Sequence, residues 1–177
     1  MSVLPLTTLP TPTLHDPSAP VPKAFLLSPE GRQFEQDLID TMYHAKGIGI
    51  AAAQVGKNVQ MCIIGKEALV PEQMTITQGH IDMKKDLLLV NPTLERITRK
   101  SMSDQEGCLS VPGLYGTVKR FKDVRVHALD REGNPLVFEA SHFLARVVAH
   151  ELDHLNGTIF IDRAKDVYEV ELEHNEK

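Results

Sequence analysis

Ala149-His-Glu-Leu-Asp-His-Leu-Asn-Gly157 combines a metal-binding pattern with the signals of a helix and of its end. Residues four apart lie on one face of an α-helix, so His150 and His154 can present two imidazole nitrogens to a single metal ion. Glu151, one step round the helix, can reach a water on that metal and act as general base. Gly157 is suited to the left-handed conformation in which many helices end. Two protein ligands are too few, so a third must come from elsewhere.

Three alternatives can complete the ligand set. One is a third histidine in the longer pattern H-E-x-x-H-x-x-G-x-x-H, but the last position holds Phe160, which excludes it. A second is a glutamate from a later segment of the chain. The candidates that are close to the motif in sequence are Glu169 and Glu171, in the short acidic tail. The remaining candidate is Cys108, because one Cys and two His with water in the fourth place form a catalytic metal site. A thiolate ligand favours Zn²⁺ or Fe²⁺ over Mg²⁺ or Ca²⁺.

Each of these residues also has a purely structural interpretation. A lone cysteine is more often a small buried hydrophobe, and Cys62, within the apolar run 61–64, fits that interpretation well. H-E-x-x-H also arises by chance, in which case His150 and His154 are surface histidines. The residues alone leave both interpretations open, although a helix that ends in glycine favours the metal site.

Apolar spacing and turn residues predict the remaining elements. Two helices are expected, one over 29–46 capped by Ser28 and one capped by Ser141. The buried face of the second helix is predicted to comprise Phe143, Leu144, Val147, Val148 and Leu152. Strands are expected over 59–64, 87–90, 136–140 and 158–161, with one or two antiparallel strands over 118–129 and a hairpin turn over 130–134. Residues 94–101 are a candidate continuation of the strand over 87–90. The other segments are a tight connector over 47–56, a strand stop at Asn91-Pro92, an irregular surface excursion over 65–86, and a tail that is either strand or helix.

This pattern predicts an α+β fold with mainly antiparallel sheets around a central helix that carries the HExxH metal motif, and a second helix near the N-terminus. The 177 residues, 42% hydrophobic, suit one domain. We expect a single catalytic domain over 1–177, with an extended N-terminal segment over 1–23 and an acidic tail over 163–177.

Composition limits the class of partner and compartment. The formal net charge is −5 and no basic stripe is present, so no nucleic-acid-binding motif is indicated. No apolar run is long enough to span a membrane, and no secretory signal is apparent. The two cysteines do not suggest a disulfide scaffold, which favours a reducing compartment and predicts a cytoplasmic location.

Three stretches resemble the signature motifs of the peptide deformylase family, in that family's order. They are Gly47–Gln54 (GIGIAAAQ), Glu106–Ser110 (EGCLS) and His150–Gly157 (HELDHLNG), and the resemblance covers about residues 24–162. It implies a metal-dependent hydrolase that removes the N-formyl group from the N-terminal methionine of newly synthesised polypeptides. N-formylmethionyl nascent peptides are the implied partners, with transient ribosome association.

The resemblance also implies residue roles. The metal ligands are Cys108, His150 and His154, and the general acid/base is Glu151. Gln54 and the backbone N–H of Leu109 polarise the formyl oxygen while water or hydroxide on the metal attacks the formyl carbon. One divalent ion is implied, with Fe²⁺ as the native metal and Zn²⁺, Ni²⁺ or Co²⁺ as substitutes.

Helix spacing suggests where the substrate lies. Phe143, Arg146 and Val147 precede His150 by seven, four and three residues and are expected on the metal-facing side. With Ile48 they can line an apolar methionine pocket, Arg146 contributing its stem while its head reaches water. Plain core packing is an equal alternative for Phe143 and Val147.

Backbone and charge complete the predicted site. The peptide backbone is expected to lie along Ile48 and Gly49 like an added strand, and Gly107 gives the cysteine loop a close backbone approach. The resemblance places Arg120 where it would pair with Glu106 and hold that loop.

The chain departs from the family pattern at Ile50 (usually Leu), Tyr115 (often Arg) and Ala149 (usually Gln). Its acidic tail does not predict tail-mediated ribosome docking. Two rivals to a deformylase remain: an HExxH-type metallopeptidase, and a non-catalytic domain that binds formylated peptides or stores metal.

Overall fold

The computed structural model describes residues 2–170. Its α-helices are α1 (Lys23–Leu26), α2 (Pro29–His44) and α3 (His142–Leu155). Its strands are β1 (Gly49–Ala51), β2 (Met61–Ile64), β3 (Met74–Gln78), β4 (Leu87–Arg96), β5 (Ser101–Cys108), β6 (Val111–Phe121), β7 (Asp123–Leu129), β8 (Pro135–Ser141) and β9 (Lys165–Glu169). Short 3₁₀ turns occupy Pro12–His15, Ala52–Val55, Lys66–Ala68, Pro71–Gln73 and Phe160–Asp162.

The strands form two antiparallel sheets. A six-stranded sheet has the order β1-β2-β4-β7-β8-β3, and a three-stranded sheet has the order β5-β6-β9. Helix α3 contacts strands of both sheets. The predicted α+β class, with antiparallel sheets and few helices, is therefore confirmed.

The six-stranded sheet is buried on both faces where β1, β2 and the first half of β4 lie, and strand β2 shows how. Successive side chains of a strand point to opposite faces. Cys62 and Ile64 belong to the apolar cluster that includes α3, whereas Met61 and Ile63 belong to the cluster that includes α2. The β1-β2-β4 end of the sheet is thus packed between the two long helices, and α3 packs across a face that also includes residues of β7 and β8.

Helix α2 forms as its sequence predicts, with the Ser28 hydroxyl accepting the N–H of Gly31 at 3.1 Å. It ends at His44, two residues before the predicted end at 46. The cause is Lys46, whose φ of 56° is left-handed and stops the helix before Gly47.

The start of α3 is capped differently from the prediction. Ser141 occupies the capping position, but its hydroxyl donates to the Gln73 carbonyl at 3.4 Å. The Gln73 side chain instead accepts the N–H of Leu144 at 3.0 Å, so a residue from a distant segment caps the helix. Four of the five predicted core residues of α3 are buried, but Phe143 is 42% exposed. The prediction of Phe143 as core was wrong because it lies at an open cavity.

Several strand predictions also need correction. Strand β4 continues through Asn91 and Pro92, because Asn91 adopts φ 49° and the register shifts there. Segment 65–86 contributes β3, which pairs with β8 at the sheet edge. Residues 47–56 contain the buried strand β1 in addition to a turn, and 158–161 contains the start of a 3₁₀ turn, not a strand. Strand β5 lay in a segment whose polar residues gave no periodic signal.

The chain's two ends differ in their contacts. In the N-terminal segment the N–H of Thr7 donates to the Gln54 carbonyl at 2.7 Å, and that of Leu9 donates to the Ser110 carbonyl at 3.0 Å. The start of the tail forms β9, so residues 165–169 are a strand and not a helix. Residues 171–177 of the tail lie outside the described part of the chain.

Within 2–170 no helix is both long and apolar enough to cross a membrane.

Gly157 ends α3 as predicted, with φ 70°. A Cβ there would also overlap the carbonyl of His15, in the N-terminal segment. Gly157→Ala should therefore lower the free energy of unfolding by about 2–4 kcal/mol, combining a left-handed penalty of about 1–2 kcal/mol with the collision. Thermal unfolding should show a midpoint lower by about 4–16 °C.

Gly133→Ala is the matched control for that change. Gly133 has φ 74°, but a Cβ there would meet only the flexible end of Lys23. The Gly133→Ala change should lower the free energy of unfolding by about 1–2 kcal/mol. Equal losses for the two variants would show that the contact with His15 contributes nothing.

Candidate metal centre

Three segments that are distant in sequence meet beside α3. The helix supplies His150, Glu151 and His154, and the end of β5 supplies Cys108. The ligand atoms of Cys108, His150 and His154 all lie within 4.8 Å of one another, and Cys108 Sγ is 3.1 Å from His154 Nε2. One thiolate and two imidazoles at this spacing match the donor set of a Cys-His-His metal site, a class in which water or substrate takes the fourth position. The cysteine alternative for the third ligand is therefore the one that the geometry favours.

Glu106 fixes the orientation of His150. Its Oε2 lies 2.9 Å from His150 Nδ1, which leaves Nε2 of that ring as the free donor atom. Although burial raises the pKa of Glu106, hydrogen bonds from Arg120 and His150 outweigh burial and hold that pKa well below its usual range. The carboxylate is therefore charged and can polarise the imidazole.

Two arginines hold Glu106. Arg120 donates to it twice, from Nε at 2.9 Å and from Nη2 at 2.8 Å, and these are the two residues that the resemblance pairs. Arg146 Nη1 donates to it at 2.6 Å and to the Val118 carbonyl at 2.9 Å. The Arg146 side chain is 5% exposed, so the prediction that its head reaches water was wrong. The reason is Glu106, which attracts the guanidinium inward, and Arg120 extends the network by pairing with Asp153.

Glu106→Gln should lower the affinity for metal by about 10–100-fold, because His150 loses the charge that orients it. The change preserves side-chain size, so a competitive zinc chelator titration reports the lost carboxylate charge. The control is Glu139→Gln, which removes a half-exposed partner of Arg125 at 2.6 Å. Unchanged zinc affinity in a folded Glu106→Gln variant would contradict this role.

Glu151 is buried beside the ligands without being one of them. Its Oε2 has no hydrogen-bond partner within residues 2–170, and burial raises the pKa of the carboxyl to about 7. A Cβ on Gly49 would overlap Glu151 Oε1, so the glycine leaves the space that the carboxylate occupies. A carboxyl with a pKa near neutrality is suited to taking up and returning a proton.

Gln54 points its amide toward the cysteine. Its Oε1 accepts the N–H of Ala51 at 2.9 Å, which directs Nε2 toward Cys108 Sγ at 3.4 Å and Ser110 Oγ at 3.3 Å. Leu109 lies in the turn between β5 and β6, next to Cys108. An amide N–H₂ and a backbone turn therefore lie on the cysteine side of the ligand cluster.

A cavity of about 690 Å³ opens beside this cluster. Its walls include the predicted substrate residues Ile48, Gly49, Gly107, Phe143, Arg146 and Val147, together with Gln54, Cys108, Leu109, His150 and Glu151. The lining residues that sequence reasoning missed include Leu6, Lys46, Gln105 and Leu114. No local pattern marks these four, although Lys46 and Gln105 adjoin recognised motifs.

Comparison with known proteins gives consistent matches. A polypeptide deformylase family model matches residues 3–169, beyond the range of the motif resemblance on both sides. The peptide deformylase of Brucella suis is 40% identical over 164 residues, covering 92% of this chain and 85% of that protein. 

Solved structures agree with the sequence matches. A Synechococcus elongatus peptide deformylase in complex with actinonin matches with TM-score 0.77 and 38% identity, covering 92% of this chain and 79% of the other. A Met-Ala-Ser-bound peptide deformylase from Acinetobacter baumannii matches with TM-score 0.78 and 31% identity, covering 92% and 99% respectively.

Proposed function

The chain belongs to the peptide deformylase family, and from that premise we propose that it removes the N-formyl group from the N-terminal methionine of newly synthesised polypeptides. The observation that carries the proposal is the cluster of Cys108, His150 and His154, whose ligand atoms lie within 4.8 Å of one another. Two of these residues, Cys108 and His150, line the cavity. Buried Glu151 beside that cluster adds a proton carrier. The family is metal-dependent, which agrees with the donor set.

Cys108, His150 and His154 would hold one divalent ion. We propose Fe²⁺ as the native metal, with Zn²⁺, Ni²⁺ or Co²⁺ as substitutes, because a thiolate with two imidazoles suits these ions. When bound, such an ion supplies a Lewis acid and lowers the pKa of water toward neutrality.

Proton transfer is assigned to Glu151. Its carboxylate takes a proton from the attacking water and returns it to the leaving amine of methionine. The raised pKa, about 7, lets the same group act in both directions near neutral pH. The unpartnered Oε2 supports this assignment, since no hydrogen bond within the described chain must be broken to use it.

The electrophilic side is assigned to Gln54 and Leu109. Negative charge develops on the formyl oxygen during attack, and preorganised donors stabilise it. The Ala51 N–H holds the Gln54 amide in place at 2.9 Å, so its Nε2 donors are already oriented before substrate binds. The backbone N–H of Leu109 is the second proposed donor.

The peptide is proposed to lie along Ile48 and Gly49. Strand β1 is at the edge of the six-stranded sheet, and its free edge lies at the cavity. The methionine side chain would contact Ile48, Phe143 and Val147, of which Ile48 and Phe143 are 44% and 42% exposed. Arg146 lines the cavity too, but its charge serves Glu106 and not the substrate.

We propose that residues 1–177 act as a single catalytic domain. The N-terminal segment supports this, because Thr7 and Leu9 bond to the backbone of Gln54 and Ser110 on two sides of the site. A nascent-chain substrate implies action in the cytoplasm with transient ribosome association.

A steady-state assay separates this function from that of an HExxH metallopeptidase. Metal-loaded protein is incubated with formyl-Met-Ala-Ser and with an unformylated longer peptide, while formate and new amino termini are quantified. We expect formate in equal amount to free Met-Ala-Ser, with the longer peptide intact. Cleavage of internal bonds without formate would establish the metallopeptidase instead.

A further inference from the structure

Only one charged side chain at the cavity is exposed among the described lining residues. Glu106 and Arg146 are buried and paired with each other, and Glu151 is 4% exposed at the reacting centre. Lys46, at the cavity wall, is exposed and makes no salt bridge within residues 2–170. A ligand in the cavity therefore meets one uncompensated positive charge near the opening.

The backbone at Lys46 is in a conformation that lysine rarely adopts. Its φ of 56° ends α2, a position at which glycine is common and other side chains are strained. Strained residues cluster at functional sites, so this outlier supports a functional use of the lysine.

The position of Lys46 along the proposed peptide track follows from chain geometry. Gly49 lies against Glu151, next to the position proposed for the formyl group, and Lys46 precedes Gly49 by three residues. An extended strand rises about 3.3 Å per residue, so three residues span at most about 10 Å. A peptide running outward from the formyl group along 49–46 brings its second or third residue near Lys46.

We propose that Lys46 gives this enzyme a preference for peptides with an acidic side chain at the second or third residue, an inference that rests on the proposed function. An exposed ion pair of this kind changes an equilibrium about two- to fivefold, and salt screens it. The preference is therefore modest, charge-dependent and confined to these two positions.

The test uses two peptide series, formyl-Met-Ala-X and formyl-Met-X-Ser, with X as Glu, Gln or Lys. The ratios of kcat/KM for Glu against Gln and for Glu against Lys are measured at low and high ionic strength. In parallel, the Kd of each deformylated peptide is measured, which reports charge selectivity without turnover. We expect Glu to be favoured over Lys about two- to fivefold in one series, and the ratio to approach one in high salt.

Three variants complete the test. Lys46→Glu should reverse the ratios, and Lys46→Gly should bring them to about one without lowering the unfolding midpoint, since glycine adopts positive φ readily. Lys84→Glu, an exposed lysine away from the cavity, changes net charge equally and should retain the wild-type ratios.

The outcomes distinguish the two proposals. Identical Kd and kcat/KM ratios in wild type and Lys46→Glu at both positions would overturn the role of Lys46. Charge-selective binding with no formate release would instead overturn the proposed function while retaining Lys46 as the selecting residue.

Discussion

Glu151→Gln should lower kcat/KM for formyl-Met peptides by about 10²–10⁴-fold, because the variant loses its general acid/base. The amide matches the carboxylate in size and cannot carry the proton. Glu151 is not a ligand, so metal content should remain that of the wild type. The measurement is formate release combined with metal analysis of the same preparation.

The matched control is Glu35→Gln, a second buried carboxylate. Glu35 lies on α2 and pairs with Arg131 at 2.8 Å, away from the cavity. The Glu35→Gln variant should retain the wild-type kcat/KM for formyl-Met peptides, although its free energy of unfolding can fall. The unfolding midpoint of Glu151→Gln should not fall, since Glu151 Oε2 has no partner within residues 2–170 to lose. Near-normal turnover by metal-loaded Glu151→Gln would refute this proton carrier.

Cys108→Ala should lower the affinity for metal by at least about 100-fold and abolish formate release. The change removes one of three proposed ligands and leaves two histidines, which are too few for a tight site. Chelator competition with zinc measures the affinity, and anaerobic purification with metal analysis measures the stoichiometry.

Cys62→Ala separates ligand loss from cysteine loss. Cys62 is fully buried in the apolar cluster against α3, and burial raises the pKa of its thiol. This variant should bind metal as the wild type does and lose only packing energy, about 1–2 kcal/mol. Wild-type zinc affinity in Cys108→Ala would remove the cysteine from the ligand set.

The parts of the fold that follow from sequence are those with strong local signals. Ser28 caps α2, Gly157 ends α3, and the turn at 130–134 joins two strands, because in each case the signal lies in neighbouring residues. The ligand cluster could also be predicted from the sequence, since H-E-x-x-H places two metal-binding side chains on one helix face. Cys108 was then the candidate that the alternatives left.

The remaining features depend on distant contacts. Gln73 caps α3 from 71 residues away, and Leu6 reaches the cavity from the N-terminal segment. Arg146 was assigned to the substrate because spacing gives a helix face but not the buried carboxylate that pairs with it. Strand β4 passes Pro92 because tertiary pairing with β7 tolerates the local break.

The most direct test of a Cys-His-His site for deformylation is an anaerobic titration of metal-free protein with Fe²⁺, followed by formate release from formyl-Met-Ala-Ser. Activity should rise linearly and reach a plateau at one Fe²⁺ per chain in the wild type, with no such rise in Cys108→Ala. Full formate release by metal-free protein, or an equal titration in Cys108→Ala, would contradict the account.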